Sequence, residues 1–199
     1  MEKLFEIPKY LTPRQVEAVL KGTTTLRDMA MLAVVYQCGL RRKEISYLCR
    51  RDWRPTESSD GILVVWRSKR KEGLVAEEQP VWPWVRKLLQ EYLDSRCDDC
   101  EELFLSRRGG GLGGKGVYDV FRKVATARNL PEDLRHPHTF RHSIAVHLAN
   151  MGAEAADVQA VLGHKSINST MKYFRVTTPR KEDLVRRSGA SANLARIGK

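Results

Sequence analysis

The sequence predicts an α+β fold, mostly helical, with a small antiparallel sheet. Apolar residues recur at helical spacing through most of the chain, and glycines stand where those patterns stop. One β-rich run at residues 61–66 (GILVVW) precedes a charged turn and a second candidate strand. The 199 residues suit one domain with a short appendage, long enough for a proper core. A hydrophobic content of 42% argues against wholesale disorder. No apolar run approaches the roughly 18 residues needed to span a bilayer. The opening MEKLFEIPKY lacks the apolar core of a signal peptide, so the expectation is a soluble protein of the cell interior.

Taken in order, Thr12 and Pro13 supply an N-cap and a proline at the first helical position, followed by Val16, Val19 and Leu20. Residues 26–35 are strongly apolar and helical, and Gly39 breaks the pattern. Residues 41–48 read as a short helix carrying Ile45 and Leu48 on one face. The strand at 61–66 leads through RSKRKEG to a returning strand at 75–81. An amphipathic helix follows at 84–92, then a short extended stretch at 103–105. Further helices are expected at 117–127, 139–151, 155–162 and 168–174, with Gly152 and Gly163 ending two of them as C′ glycines do. Residues 1–178 form the domain, and 179–199 form a basic tail with Leu184 and Val185 as apolar anchors.

Lysines and arginines number 35 against 24 acids, a net charge of +11. A polyanion is the leading partner, because neutralising phosphates releases condensed counterions. Cys38 and Cys49 read as core residues, and the lone CxxC of Cys97 and Cys100 has no second ligand pair for zinc. All four cysteines are taken as structural. The glycine-rich RRGGGLGGKG lacks the Ser or Thr that a phosphate-binding P-loop carries after its lysine, so it reads as a surface loop.

Four separated segments carry the chemistry: GLRRKEI with Arg41, RSKRKEG with Lys69, HPHTFRH with His138 and Arg141, and LGHKSINSTMKYF with His164 and Tyr173. His138 and Arg141 are three residues apart and share a helix face. Two arginines on one phosphate would offer bidentate donors and stabilise a pentavalent transition state. Tyr173 would be the nucleophile, although only about a thousandth of free tyrosine is ionised at pH 7, a handicap of about 4 kcal/mol. Nearby arginines reduce that handicap, a histidine accepts the proton, and Lys69 protonates the departing sugar oxygen. His136, His138 and His142 could instead suggest a metal site, but no Asp or Glu beside them completes one. Taken singly, each residue has a duller structural reading; their ordered co-occurrence favours the chemical one.

These segments resemble the catalytic domain of the tyrosine recombinase (phage integrase, Xer-type) family. The resemblance rests on GLRRKEI, on HPHTFRH, on LGH and on the tyrosine nine residues after that histidine. It implies the fold of that domain, Arg41 and Arg141 as the arginine pair, His138 and His164 as the histidines, and Tyr173 as the nucleophile. It implies Lys69 as the general acid, with Lys71 as the competing choice, and Glu44 as a structural support. The implied reaction forms a 3′-phosphotyrosyl link, frees a 5′-hydroxyl and rejoins strands without cofactor, metal or ATP. The implied partners are double-stranded DNA, further copies of the chain in a tetramer on DNA, and accessory DNA-bending proteins, in the cytoplasm at the nucleoid.

Only about a dozen residues precede the first helix, whereas family members usually carry a preceding DNA-binding domain. The short form is similar to recombinases that invert fimbrial promoter segments; Met1 favours a complete short protein, and a fragment is the alternative. A type IB topoisomerase-like relaxing enzyme, a non-catalytic DNA-binding regulator and a histidine-metal nuclease are the rival functions.

Overall fold

Helix α1 (Pro13–Lys21) begins on a reciprocal cap: Thr12 Oγ1 accepts from the Gln15 amide at 3.3 Å, and Gln15 Oε1 accepts from the Thr12 amide at 2.9 Å. The computed structural model describes residues 8–56, 61–69 and 73–175. The expected tail at 179–199 and the alternative lysine, Lys71, lie outside the described residues.

Helix α2 (Leu26–Gln37) is apolar nearly all round and buries residues on every side, as a central helix must. Against it packs α5 (His138–Asn150), whose Phe140 meets the Phe121 ring edge-on at 4.8 Å between centroids. His147 of α5 bridges the Tyr36 hydroxyl (2.7 Å) and the Leu11 carbonyl (2.9 Å), while Ser143 Oγ accepts from the Leu11 amide at 2.8 Å. The segment entering α1 is therefore fastened to α5.

The expected helix at 41–48 is a 3₁₀ turn, Glu44–Tyr47, followed by a second at Arg50–Asp52. The reason is local: the Glu44 carboxylate folds back to the Arg41 amide, and the chain then leaves to pair extended. Leu103 donates to the Leu48 carbonyl at 2.8 Å, and Cys49 bridges Glu102. An α-helix would have too few residues here to offset its nucleation.

The sheet has the order β1-β2-β3, antiparallel throughout, from β1 (Trp53–Pro55), β2 (Gly61–Lys69) and β3 (Gly73–Val81). The sequence reading missed β1, a three-residue edge strand ending in a proline that only an edge tolerates. It also ended β2 three residues early, because the charged end of the strand still pairs, down to Lys69 opposite Gly73.

The remaining helices are α3 (Pro83–Asp94), α4 (Gly114–Ala127), α6 (Ala155–Leu162) and α7 (Asn168–Phe174). The last two match their sequence expectation. Helix α4 starts inside the glycine-rich stretch, where burial of Val117 and Phe121 overrides the weak helix propensity of glycine. Among the described residues, no helix is long and apolar enough to cross a membrane. The four cysteines are free; Cys38 is buried and its thiol pushed up to about 12 by that burial, Cys49 and Cys100 are half-buried, and Cys97 is exposed.

Candidate active site

Two tight turns and two helix faces build the site. The first turn follows α2: Gly39 takes φ +55°, and a Cβ there would stand 2.5 Å from Leu162, so glycine lets Arg41 emerge beside the end of α6. The second is the left-handed Gly163 that ends α6 and leads into His164. Arg141, on the inward face of α5, staples the two turns together. Its guanidinium donates to the Gly39 carbonyl and, at 2.7 Å, to the Leu162 carbonyl, and the residue is 1% exposed. Burial and the nearby Arg41 cation lower its pKa to about 9, so it stays charged at neutral pH.

Arg41 is the accessible member, its side chain 40% exposed. Its amide and one guanidinium nitrogen both donate to Glu44, at 2.8 and 2.6 Å. Arg41, with Arg42, Lys43, Tyr118, His136 and His138, lines a cleft of about 590 Å³. The sign of its walls suits an anion.

Tyr173, on α7, lies against α5 and is only 1% exposed. Its hydroxyl hydrogen-bonds His142 Nδ1 at 2.8 Å, and the His164 ring lies parallel to the phenol ring at 6.3 Å. His164 Nδ1 is itself tied to Thr170 Oγ1 at 2.9 Å, one turn before the tyrosine. Burial pushes the Tyr173 pKa up to about 12, against the pull of Arg141 and Arg41, which favours the phenolate. Lys172 places its ammonium 5.0 Å from the centre of the same ring.

The structure thus gathers Arg41, His138, Arg141, His164 and Tyr173 from distant stretches of chain. The backbone of Lys69 closes β2, two residues beyond the buried Arg67. Three residues were not assigned to this site from the sequence: His142, weighed there only as a metal ligand, Lys172 and Arg67. The first sits four residues after His138, one helical turn, where its ring meets the His138 ring at 4.4 Å. The signal for Arg67 was the two-residue strand period, which sets it behind the buried Leu63 and Val65. Among the described residues, no group of three or more His, Cys, Asp or Glu side chains is placed to hold a metal ion.

Burial, helped by Arg141 among the neighbouring cations, pushes His142 and His164 down to about 3 from the ordinary 6.5. Both are neutral in the fold, whereas the unfolded chain takes up their protons near pH 6.5. Their contribution to stability is complete above that pH and shrinks as pH falls toward the folded values. Thermal melts should therefore show a falling midpoint between about pH 6.5 and pH 5, above the range where ordinary carboxylates titrate. A flat midpoint there would contradict the neutral-histidine pocket.

A family model described as the phage integrase family matches residues 9–180. The chain belongs to this family. Among curated phage integrase relatives, the chain is 30% identical to a tyrosine recombinase XerC of Oceanobacillus iheyensis over 97% of its own length and 60% of that protein. It is 34% identical to a tyrosine recombinase XerD of Pseudomonas putida over 89% of its length and 61% of that protein. The chain therefore spans about 60% of the length of these relatives. Its fold is that of the tyrosine recombinase catalytic domain. A XerH site-specific recombinase bound to a palindromic difH substrate, a post-cleavage complex, superposes with a TM-score of 0.75 at 20% identity. That match covers 90% of this chain and 53% of the other. A XerA recombinase gives 0.71 at 23% identity, over 87% and 60% of the two chains.

Proposed function

We propose that this chain is the catalytic part of a site-specific DNA recombinase, cleaving and rejoining duplex strands through a 3′-phosphotyrosyl intermediate. The observation that carries the reading is the Tyr173 hydroxyl, bonded to His142 and inside the field of two guanidinium groups. A tyrosine that serves only as core packing has no need of three histidines and two arginines around it.

In this reading Arg41 and Arg141 bear on the non-bridging oxygens of a phosphate in the basic cleft. Tyr173 attacks phosphorus; the bond from phosphorus to the 5′ oxygen breaks as the new phosphotyrosyl bond forms. The phenolic proton passes to a neutral histidine, His138 or His164, and the leaving oxygen takes a proton from Lys69. Attack by a 5′-hydroxyl of another strand reverses these steps, with bond energy retained in the covalent link. Metal and ATP have no step to perform in this route. Four copies assembled on two duplexes would carry out the exchange, with the tail at 179–199 as a contact between copies.

A pool of nicked duplexes of randomised sequence tests this, because the short fragment released at the nick cannot religate. The expected result is an SDS-resistant protein–DNA adduct, formed equally with and without EDTA. Cleavage that needs a divalent metal and leaves no adduct would point to a nuclease. With a supercoiled plasmid as a second substrate, relaxed circles without recombinant products would point to a topoisomerase-like enzyme, and binding without adduct or relaxation to a regulator.

A further inference from the structure

We infer that Arg67 is a positioning residue for strand cleavage: a buried cation that holds Glu44, and through Glu44 the cleft-facing Arg41, in register with the turn that carries His164. The inference rests on the recombinase reading and adds a residue to its machinery.

The inward row of β2 runs Leu63, Val65, Arg67, all fully buried. Two aliphatic side chains are followed by a guanidinium where a third aliphatic would cost nothing to desolvate. Burying a charge requires a matching arrangement of partners, and Arg67 has one from four segments. Its Nη1 donates to Glu44 Oε2 at 2.7 Å, and its Nε donates to Glu77 Oε2 on β3 at 3.4 Å. Its Nη2 donates to the Cys38 carbonyl at 3.1 Å and to the Val161 carbonyl at 2.7 Å. Those carbonyls lie in the turn before Arg41 and in the last turn of α6.

The Glu44 carboxylate is shared. Its Oε2 accepts from both Arg67 and the Arg41 amide, and its Oε1 accepts from the Arg41 guanidinium. Glu44 is 1% exposed, so without Arg67 this carboxylate would be buried against the half-exposed Arg41 alone. At α6, Arg67 and Arg141 take the carbonyls of consecutive residues, Val161 and Leu162, which the helix end leaves without intrahelical donors. A Cβ at Gly163 would lie 2.8 Å from Arg67 Nε, so the turn before His164 is moulded onto this guanidinium. Arg67 thereby sets the distance between Arg41 and His164 without facing the cleft.

The test uses the full chain with Arg67→Gln and Arg67→Lys, alone and combined with Glu44→Gln. Duplex affinity, thermal midpoint and single-turnover adduct formation on the nicked substrate are measured for each. Arg67→Gln should slow adduct formation by about 10- to 100-fold, the range that holds for hydrogen-bond partners of metal ligands and is taken over for a partner of Glu44. Duplex affinity should stay within about twofold, since bulk binding comes from many phosphate contacts. Arg67→Lys keeps the charge but cannot fork, so it should recover part of the rate; it also serves as the readout should the glutamine variant fail to fold. In the Glu44→Gln background either substitution should cost less than it does in the wild-type chain, because part of the effect of Arg67 runs through that carboxylate. Additive losses, or a wild-type rate in both Arg67 variants, overturn the inference alone. Absence of an adduct from the wild-type chain overturns the recombinase reading, and this inference with it.

Discussion

Tyr173→Phe should abolish the covalent protein–DNA adduct while leaving duplex affinity within about twofold of wild type. The substitution removes one oxygen and no apolar surface, so packing of α7 on α5 persists. The hydrogen bond to His142 is lost, and chemical denaturation should register a destabilisation of about 1 kcal/mol. The variant separates chemistry from folding, because the hydroxyl supports the structure weakly and is the nucleophile of the proposed reaction. In this conformation the oxygen is stored rather than armed. Its pKa is near 12 while that of His142 is near 3, so the proton rests on the phenol. With Tyr173 only 1% exposed and its hydroxyl bonded to His142, the proposed attack requires that hydroxyl to be uncovered first. A persistent adduct in the phenylalanine variant would remove Tyr173 from the role of nucleophile.

Substituting Arg141 should cost rate and, to a larger extent than Tyr173→Phe, stability. With Arg141→Ala, single-turnover cleavage should fall by about 100- to 1000-fold, the scale of losing one preorganised donor to a developing oxyanion. The same change strips the Gly39 and Leu162 carbonyls of a charged donor inside the core. Denaturant unfolding should show a loss of about 3–6 kcal/mol, since two such bonds to a charged group are lost and each contributes about 1.5–3 kcal/mol. Arg141→Lys separates the two roles: charge is kept, only one of the two turns can be held, and cleavage should remain impaired while much of the stability returns. Cleavage by both variants within threefold of wild type, or about that margin, would mean the phosphate is held elsewhere.

Legibility in the sequence followed the range of the physics involved. Helices α6 and α7 were readable to the residue because Gly163 and the apolar spacing of the last turns are local signals. The 3₁₀ turn at Glu44–Tyr47 was not, because its geometry depends on a carboxylate reaching back to Arg41 and on pairing of Leu48 with Leu103, far along the chain. The short edge strand β1 carries no alternation in WRP and exists through its partner β2. In the site, residue types with unusual spacing, such as HPHTFRH and the tyrosine after LGH, stood out in the sequence. Their supporting residues did not. His142 was weighed only with His136 and His138 as a metal ligand, and Arg67 fell unremarked at the start of a charged turn.

The amino-acid sequence alone determined the helical majority, the hairpin, the net positive charge and which side chains stand as candidates for phosphoryl transfer. Spacing and composition act through neighbours in the chain, so they are readable there. Only the tertiary structure decided that Arg141 spans two turns, that Glu44 is shared between an exposed and a buried arginine, and that the phenol is held by His142. Each of these is a contact between segments 20 or more residues apart, or supported by one. Desolvation decides which partner such a group takes, and it is set by the packed surroundings rather than by the residue's own neighbours in sequence.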